Sequence, residues 1–144
     1  MALEWSYSLE DIDWEELSRL YLAAPLGHKE PSDLQVAFSN SMFKCFVYEA
    51  GKLVAAGRAL ADGRDCSYIC DVAVHPDYQG QGVGREVVSA LINLSRDHKK
   101  IILYAARGKE PFYRKLGFKR MTTAMAIFKN QAKALDDGLV IDEP

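Results

Sequence analysis

Three glycines at alternate positions, Gly80, Gly82 and Gly84, stand in "HPDYQGQGVGR", between the apolar run "YICDVAV" and the periodic stretch "EVVSALINLSR". A strand, a glycine loop and a helix start together suit phosphate. Glycine lacks the Cβ that blocks close approach, and a helix N-terminus supplies unbonded N–H groups and positive dipole character. Two nucleotide motifs fail here. The P-loop requires Lys followed by Ser or Thr, whereas Arg85-Glu86 follow Gly84. The dinucleotide pattern GxGxxG requires glycine where Arg85 stands. The remaining alternative is a plain loop-to-helix turn, against which three glycines, each with an ordering cost, argue.

Asp71 is the second chemical feature. It is the only charged residue in the apolar stretch Ile69–Val74, where an unpartnered carboxylate is costly. It is a candidate base, or a candidate anchor for a cationic amine. At an ordinary pKa of about 3.9 it is a poor base without desolvation or a relaying water. The alternative is an ion pair with Arg58 or Arg64. Neighbouring Cys70 raises an acyl-cysteine intermediate, yet no histidine is near in sequence and a cysteine in a buried strand is usually inert. His75 fits a cap for the turn before Pro76 better than a proton carrier.

The bulk properties narrow the class. The chain has 144 residues, 49% of them hydrophobic and 26% charged, as in an ordinary globular domain. A formal charge of −2 gives no support to nucleic-acid or membrane-surface binding. A local cluster of Arg114, Lys115, Lys119 and Arg120 could still meet one anionic ligand. Three cysteines without CxxC spacing and three scattered histidines predict neither a disulfide framework nor a metal site. With an acidic start and no membrane-length apolar run, the expected location is the cytoplasm.

The elements that must position these residues read as β-α-α-β-β-β-α-β-α-β. Residues 2–8 alternate like a strand, and Trp14, Leu17, Leu20 and Tyr21 recur at helical spacing after an Asp11 or Asp13 cap. A second helix is expected from Ser32. A hairpin turning at Gly51-Lys52 follows. "CSYICDVAVH" reads as a central strand covered on both faces. A helix over Gly84–Leu94, a strand in "KKIILYAA", a helix stopped by Gly117, and a last strand in "MTTAMAIFKN" complete the order. Residues 1–130 are expected to form one mixed α/β domain and 131–144 a surface tail.

Gln79-x-x-Gly82-x-Gly84 resembles the Gln/Arg-x-x-Gly-x-Gly/Ala signature of the GNAT superfamily of acyl-CoA-dependent N-acyltransferases. Phe112-Tyr113-Arg114-Lys115-Leu116-Gly117-Phe118 is similar to its FYxxxGF element, in the expected order. The resemblance covers about residues 40–130 and, to a lesser extent, the N-terminal helices. Within it, "RALADGRDCSYICDVAV" and "TAMAIF" look most like small bacterial members related to plant arylalkylamine acetyltransferases. It implies a central mixed sheet splayed in the middle with flanking helices. It implies further that Gln79, Gly80, Gln81, Gly82, Val83, Gly84 and Arg85 hold the pyrophosphate of acetyl-CoA through backbone N–H groups. Val72, Ala73 and Val74 would pair with the pantetheine arm, with an amide near Val72 stabilising a tetrahedral oxyanion. Tyr113 would be the acid that protonates the departing thiolate, the alternative being a tyrosine that merely packs its ring. Many relatives carry an asparagine ahead of the FY pair; "YAARGKEPFY" has none.

The expectation is therefore direct acetyl transfer from acetyl-CoA to a primary amine, a small molecule being favoured by short chain and modest charge. A protein N-terminus or lysine, or a non-catalytic acyl-CoA-binding module, are the alternatives, and a homodimer is left open.

Overall fold

The computed structural model describes residues 2–143. The strands are β1 (Leu3–Ser6), β2 (Phe43–Glu49), β3 (Lys52–Ala61), β4 (Cys66–Val74) and β5 (Lys100–Ile102). The helices are α1 (Trp14–Ala23), α2 (Pro31–Ser39), α3 (Val83–Leu94), α4 (Glu110–Arg114) and α5 (Gln131–Asp136). The strands form one sheet in the order β1-β2-β3-β4-β5, antiparallel except for the parallel β4–β5 pair. This is the expected mixed α/β class. Two compact units result, one ending at Leu103 and holding the sheet with α1, α2 and α3, the other starting at Tyr104.

Local chemistry sets the element ends. Asp13 caps α1, its Oδ1 accepting from the Glu15 and Glu16 N–H groups at 3.0 and 3.2 Å. The second helix starts one residue earlier than expected and without a Ser32 cap. Pro31 takes its first position, where a fixed φ and a missing N–H cost nothing. The hairpin turns at Ala50-Gly51 rather than Gly51-Lys52. Both residues have positive φ, 48° and 79°, as a two-residue loop matched to strand twist requires.

The sheet is covered unequally. Leu17, Leu20 and Tyr21 of α1 and Leu34 and Phe38 of α2 pack with Phe46, Leu53, Ala56 and Ala73 into one cluster. On α3, Val83, Val87, Val88 and Leu91 are buried. Burying each such side chain contributes about 1.5–3 kcal/mol. The helix comes close to β3 because position 57 is glycine: a Cβ there would meet Leu91 Cδ1 and Val87 Cγ1, both at 3.0 Å. In β4, Ser67, Ile69 and Ala73 are buried, whereas Tyr68, Cys70, Val72 and Val74 are half-buried. Full cover of both strand faces, expected from the apolar run, is not reached.

One stretch near the C-terminus differs from expectation. Residues 121–130 form no strand, and Met125 and Ile127 are 97% and 94% exposed. Strand composition alone does not make a strand; it needs a ladder partner, and no described strand pairs with this segment. Residues 131–144 contain α5, capped by Asn130 Oδ1 on Lys133 N–H at 3.0 Å, with Ala134 buried.

The left-handed Ala50 generates a stability test. An L-residue there carries a strain of roughly 1–2 kcal/mol that glycine avoids. Ala50→Gly is expected to raise the urea midpoint; a lowered midpoint would show that the turn is not under strain.

Candidate active site

The centre of the first unit is an irregularity in β4. Ala56 faces Ala73, but Arg58 faces Cys70, so Asp71 and Val72 together oppose the single residue Gly57. This is a β-bulge. Asp71 sits in it at φ +55°, a left-handed conformation that an aspartate tolerates but that surrounding structure must enforce. Three groups enforce it. The Tyr21 hydroxyl donates to the Asp71 carbonyl at 2.6 Å. Arg58 Nε donates to Asp71 Oδ2 at 2.8 Å. Lys29 Nζ lies 3.5 Å from Oδ1. Arg58 is itself steadied by Ser41 Oγ at 3.2 Å and by the face of Phe38. Burial, reinforced by the Asp71 charge, pushes the Tyr21 hydroxyl well above the usual tyrosine range, which keeps it a donor.

Asp71 therefore pairs with Arg58 and not with Arg64. The pairing does not close the carboxylate off. It lines a cavity of about 290 Å³ together with His28, Lys29, Glu30, Asp33, Leu34, Ala37 and Arg58. Of these lining groups, the sequence pointed to Asp71 and to Arg58 as its partner. Lys29 lies in an irregular loop, and neither periodicity nor motif marks it.

Beyond the bulge the sheet opens. Pairing of β4 with β5 covers Cys66, Tyr68 and the residue between them, Ser67. From Ile69 to Val74, no described strand lies on that side. His75 N–H donates across to Val54 at 2.8 Å. By the two-residue alternation of an antiparallel ladder, Val74 and Val72 then aim their N–H groups away from β3, toward the open edge. Ala73 faces β3. Of the expected pantetheine partners, Val72 and Val74 thus offer outward backbone groups, although the Val74 carbonyl already accepts from Gln79 Nε2 at 2.9 Å.

The glycine loop follows directly. His75 caps a single 3₁₀ turn over Pro76–Tyr78, its Nδ1 accepting from Asp77 N–H at 3.1 Å. The Gln79 side chain ties the Ala24 carbonyl at the end of α1 to Val74, and its N–H meets Pro76 at 3.3 Å. Gln79 therefore positions the loop and presents no free N–H. Gly80 and Gly82 have φ of 77° and 85°, and a Cβ at either would meet no protein atom within 4 Å. Glu86 N–H makes the first helical bond, to the Gly82 carbonyl at 3.1 Å. The N–H groups of Val83, Gly84 and Arg85 precede it and have no intrahelical acceptor. The loop is open and suits an anionic phosphate.

Tyr113 belongs to the second unit. It lies in α4 with its ring edge-on to Phe112 and Phe118, at 5.0 and 5.9 Å between centroids. Its hydroxyl makes no hydrogen bond among the described residues. Burial raises its pKa, so it stays protonated. Burial also raises the Cys70 thiol, the nearby Arg58 charge opposing it, and pushes Cys45 up to about 12. Neither thiol is an activated nucleophile. Among the described residues, no group of three or more His, Cys, Asp or Glu could hold a metal ion.

The family model for the acetyltransferase (GNAT) family matches residues 7–118. The chain belongs to this family. It is 42% identical over 117 residues to an uncharacterized N-acetyltransferase ycf52 of Pyropia yezoensis, covering 77% of this chain and 67% of that protein. It is 41% identical over 121 residues to histone acetyltransferase TAP1 of Glycine max, covering 75% of this chain and 52% of that protein. The chain thus spans between half and two thirds of these curated relatives. A predicted acetyltransferase with acetyl-CoA from Clostridium acetobutylicum shares the fold. Its TM-score is 0.68 at 17% identity, covering 90% of this chain and 98% of that one.

The bulge supports a direct test. Tyr21→Phe removes only the hydroxyl that holds the Asp71 carbonyl, and is expected to lower stability by about 1–2 kcal/mol. An unchanged urea midpoint would show that Tyr21 does not hold the bulge.

Proposed function

We propose that this protein moves an acetyl group from acetyl-CoA directly onto a primary amine of a small molecule. The observation that carries this reading is the unpaired edge of β4, with its bulge at one end and an open glycine loop at the other. A pantetheine arm needs backbone partners in a row, and a pyrophosphate needs free N–H groups. Residues 72–85 offer both in that order. The family and the acetyl-CoA found with a protein of the same fold support the coenzyme. The small cavity beside Asp71 favours a small acceptor over a protein chain. Three unpaired thiols fit a reducing compartment such as the cytoplasm, and no helix among the described residues is long and apolar enough to cross a membrane. We assign the transfer to residues 1–130.

The chemistry divides between two groups. An alkylammonium, with a pKa of about 10.4, must lose a proton before its nitrogen can attack. Asp71, charged and lining the cavity, anchors the ammonium and accepts that proton directly or through water. The nitrogen then bonds the thioester carbon, and the outward Val72 N–H stabilises the oxygen that becomes negative. The carbon–sulfur bond breaks, and the thiolate takes a proton from the Tyr113 hydroxyl. The second nitrogen-bound proton returns through water to the Tyr113 oxygen and Asp71 releases its proton to solvent, which leaves a neutral amide, free CoA and the starting enzyme.

Incubation with acetyl-CoA and an amine panel, following free thiol, tests the reading. Turnover of small amines is expected; coenzyme binding without turnover on any amine or peptide would leave only an acyl-CoA-binding module. A histone acetyltransferase among the relatives makes lysine peptides a necessary arm of the panel. Tyr113→Phe should lower kcat by roughly a hundredfold with little change in coenzyme affinity; an unchanged kcat would remove Tyr113 from the mechanism. Gly82→Val should weaken acetyl-CoA binding by more than about tenfold, or 1.4 kcal/mol, as read by calorimetry.

A further inference from the structure

The seat beside Asp71 already holds an amine. Lys29 Nζ is 3.5 Å from Asp71 Oδ1, and it lies 5.6 Å from the centroid of the Tyr21 ring, over its face. A carboxylate and an aromatic face together form a site for an alkylammonium. The backbone that presents it is pinned as well. The Lys29 carbonyl accepts from Ser18 Oγ at 2.6 Å, and Ser18 is buried on α1. The side chain is 29% exposed and its carboxylate partner 19%. This is unlike a solvated surface lysine, whose ammonium would range freely.

Two cations share this one carboxylate. Asp71 already has Arg58, at 2.8 Å, and needs no second cation for neutrality. Glu30, the carboxylate next in sequence, takes His28 Nε2 at 2.8 Å and leaves Lys29 to reach inward. The ammonium therefore lies in the same cavity, against the same carboxylate, that the proposed reaction requires of an acceptor.

We infer that Lys29 is an internal acceptor: the protein acetylates its own Lys29 on Nζ. This inference rests on the reading that Asp71 anchors the acceptor amine and that the thioester lies at the bulge. In the step, Asp71 takes one proton from the Lys29 ammonium and releases it to water. The freed nitrogen bonds the acetyl carbon, the carbon–sulfur bond breaks, and the nitrogen's second departing proton balances the one gained by the coenzyme thiolate. The products are N-acetyl-Lys29 and free CoA. Acetylation removes one positive charge from the cavity and leaves Asp71 paired with Arg58 alone. The modified side chain remains tethered over Tyr21, where it competes with free acceptors for the same space.

The test uses the full chain with acetyl-CoA and no added amine, followed by intact mass and peptide mapping. One acetyl group on Lys29 is expected, with a first-order rate independent of protein concentration. Lys29 should outpace the exposed Lys52 and Lys129 by at least roughly a hundredfold, a small part of what tethering can supply. Lys29→Arg keeps the cation and should show no modification, and Asp71→Asn should slow labelling of Lys29 while leaving Lys52 and Lys129 unchanged. Labelling of Lys29 no faster than that of Lys52, or equal labelling after heat unfolding, would overturn the inference. Thiol release with the amine panel on the same preparation separates the two readings. If amines turn over while Lys29 stays unmodified, only the self-acetylation fails. If neither is acetylated although acetyl-CoA binds, both fail.

Discussion

A single residue forced into a left-handed conformation organises the first unit. Asp71 at φ +55° makes β4 change register against β3, and that change decides which backbone groups reach the open edge. Without the extra residue, the alternation of β4 would run on unbroken, and Val72 would exchange places with its neighbour. The strain is held by a hydroxyl from α1, a guanidinium from β3 and an ammonium from the loop between α1 and α2. Each of those groups is in turn fixed by the cluster of Tyr21, Phe38 and Phe46. Core packing and site geometry are here the same interactions.

The polarity of the cavity follows from that arrangement. Arg58 and Lys29 face the Asp71 carboxylate, while Glu30 and Asp33 add negative charge to the lining. Two cations, three carboxylates and a histidine in one small space favour a ligand that carries charge and makes hydrogen bonds. An apolar ligand would displace water from these charged groups without offering them a partner. The half-buried pair of Asp71 and Arg58 is thus a constraint on specificity as much as on stability.

Much of this was legible beforehand, for physical reasons. The apolar stripes of α1 and α3 and the strand character of β2 to β4 depend on periodicity, and periodicity survives in the fold. Asp71 stood out because a charge in an apolar run needs a reason, and the structure supplies one. The glycine loop was readable because positive φ and close approach restrict the residue type. The bulge itself was hidden, since a register change leaves no mark in hydrophobic pattern. Lys29 was hidden because its contact with Asp71 joins positions 42 apart in the sequence. Residues 121–130 misled for the opposite reason: their composition suits a strand, but pairing is a property of neighbours that composition does not contain.

Gly57 gives these parts a common frame. It faces the bulge on one side and admits Val87 and Leu91 of α3 on the other, with no side chain between. The helix whose first turn suits phosphate and the strand that displays the Val72 amide are therefore set against the same backbone point. A side chain at position 57 would press against Leu91 and Val87 of the helix and against Val72 of the strand. In the proposed reaction this would fix the span between phosphate and thioester, so that an acyl donor with a shorter or longer arm could satisfy one end only by abandoning the other.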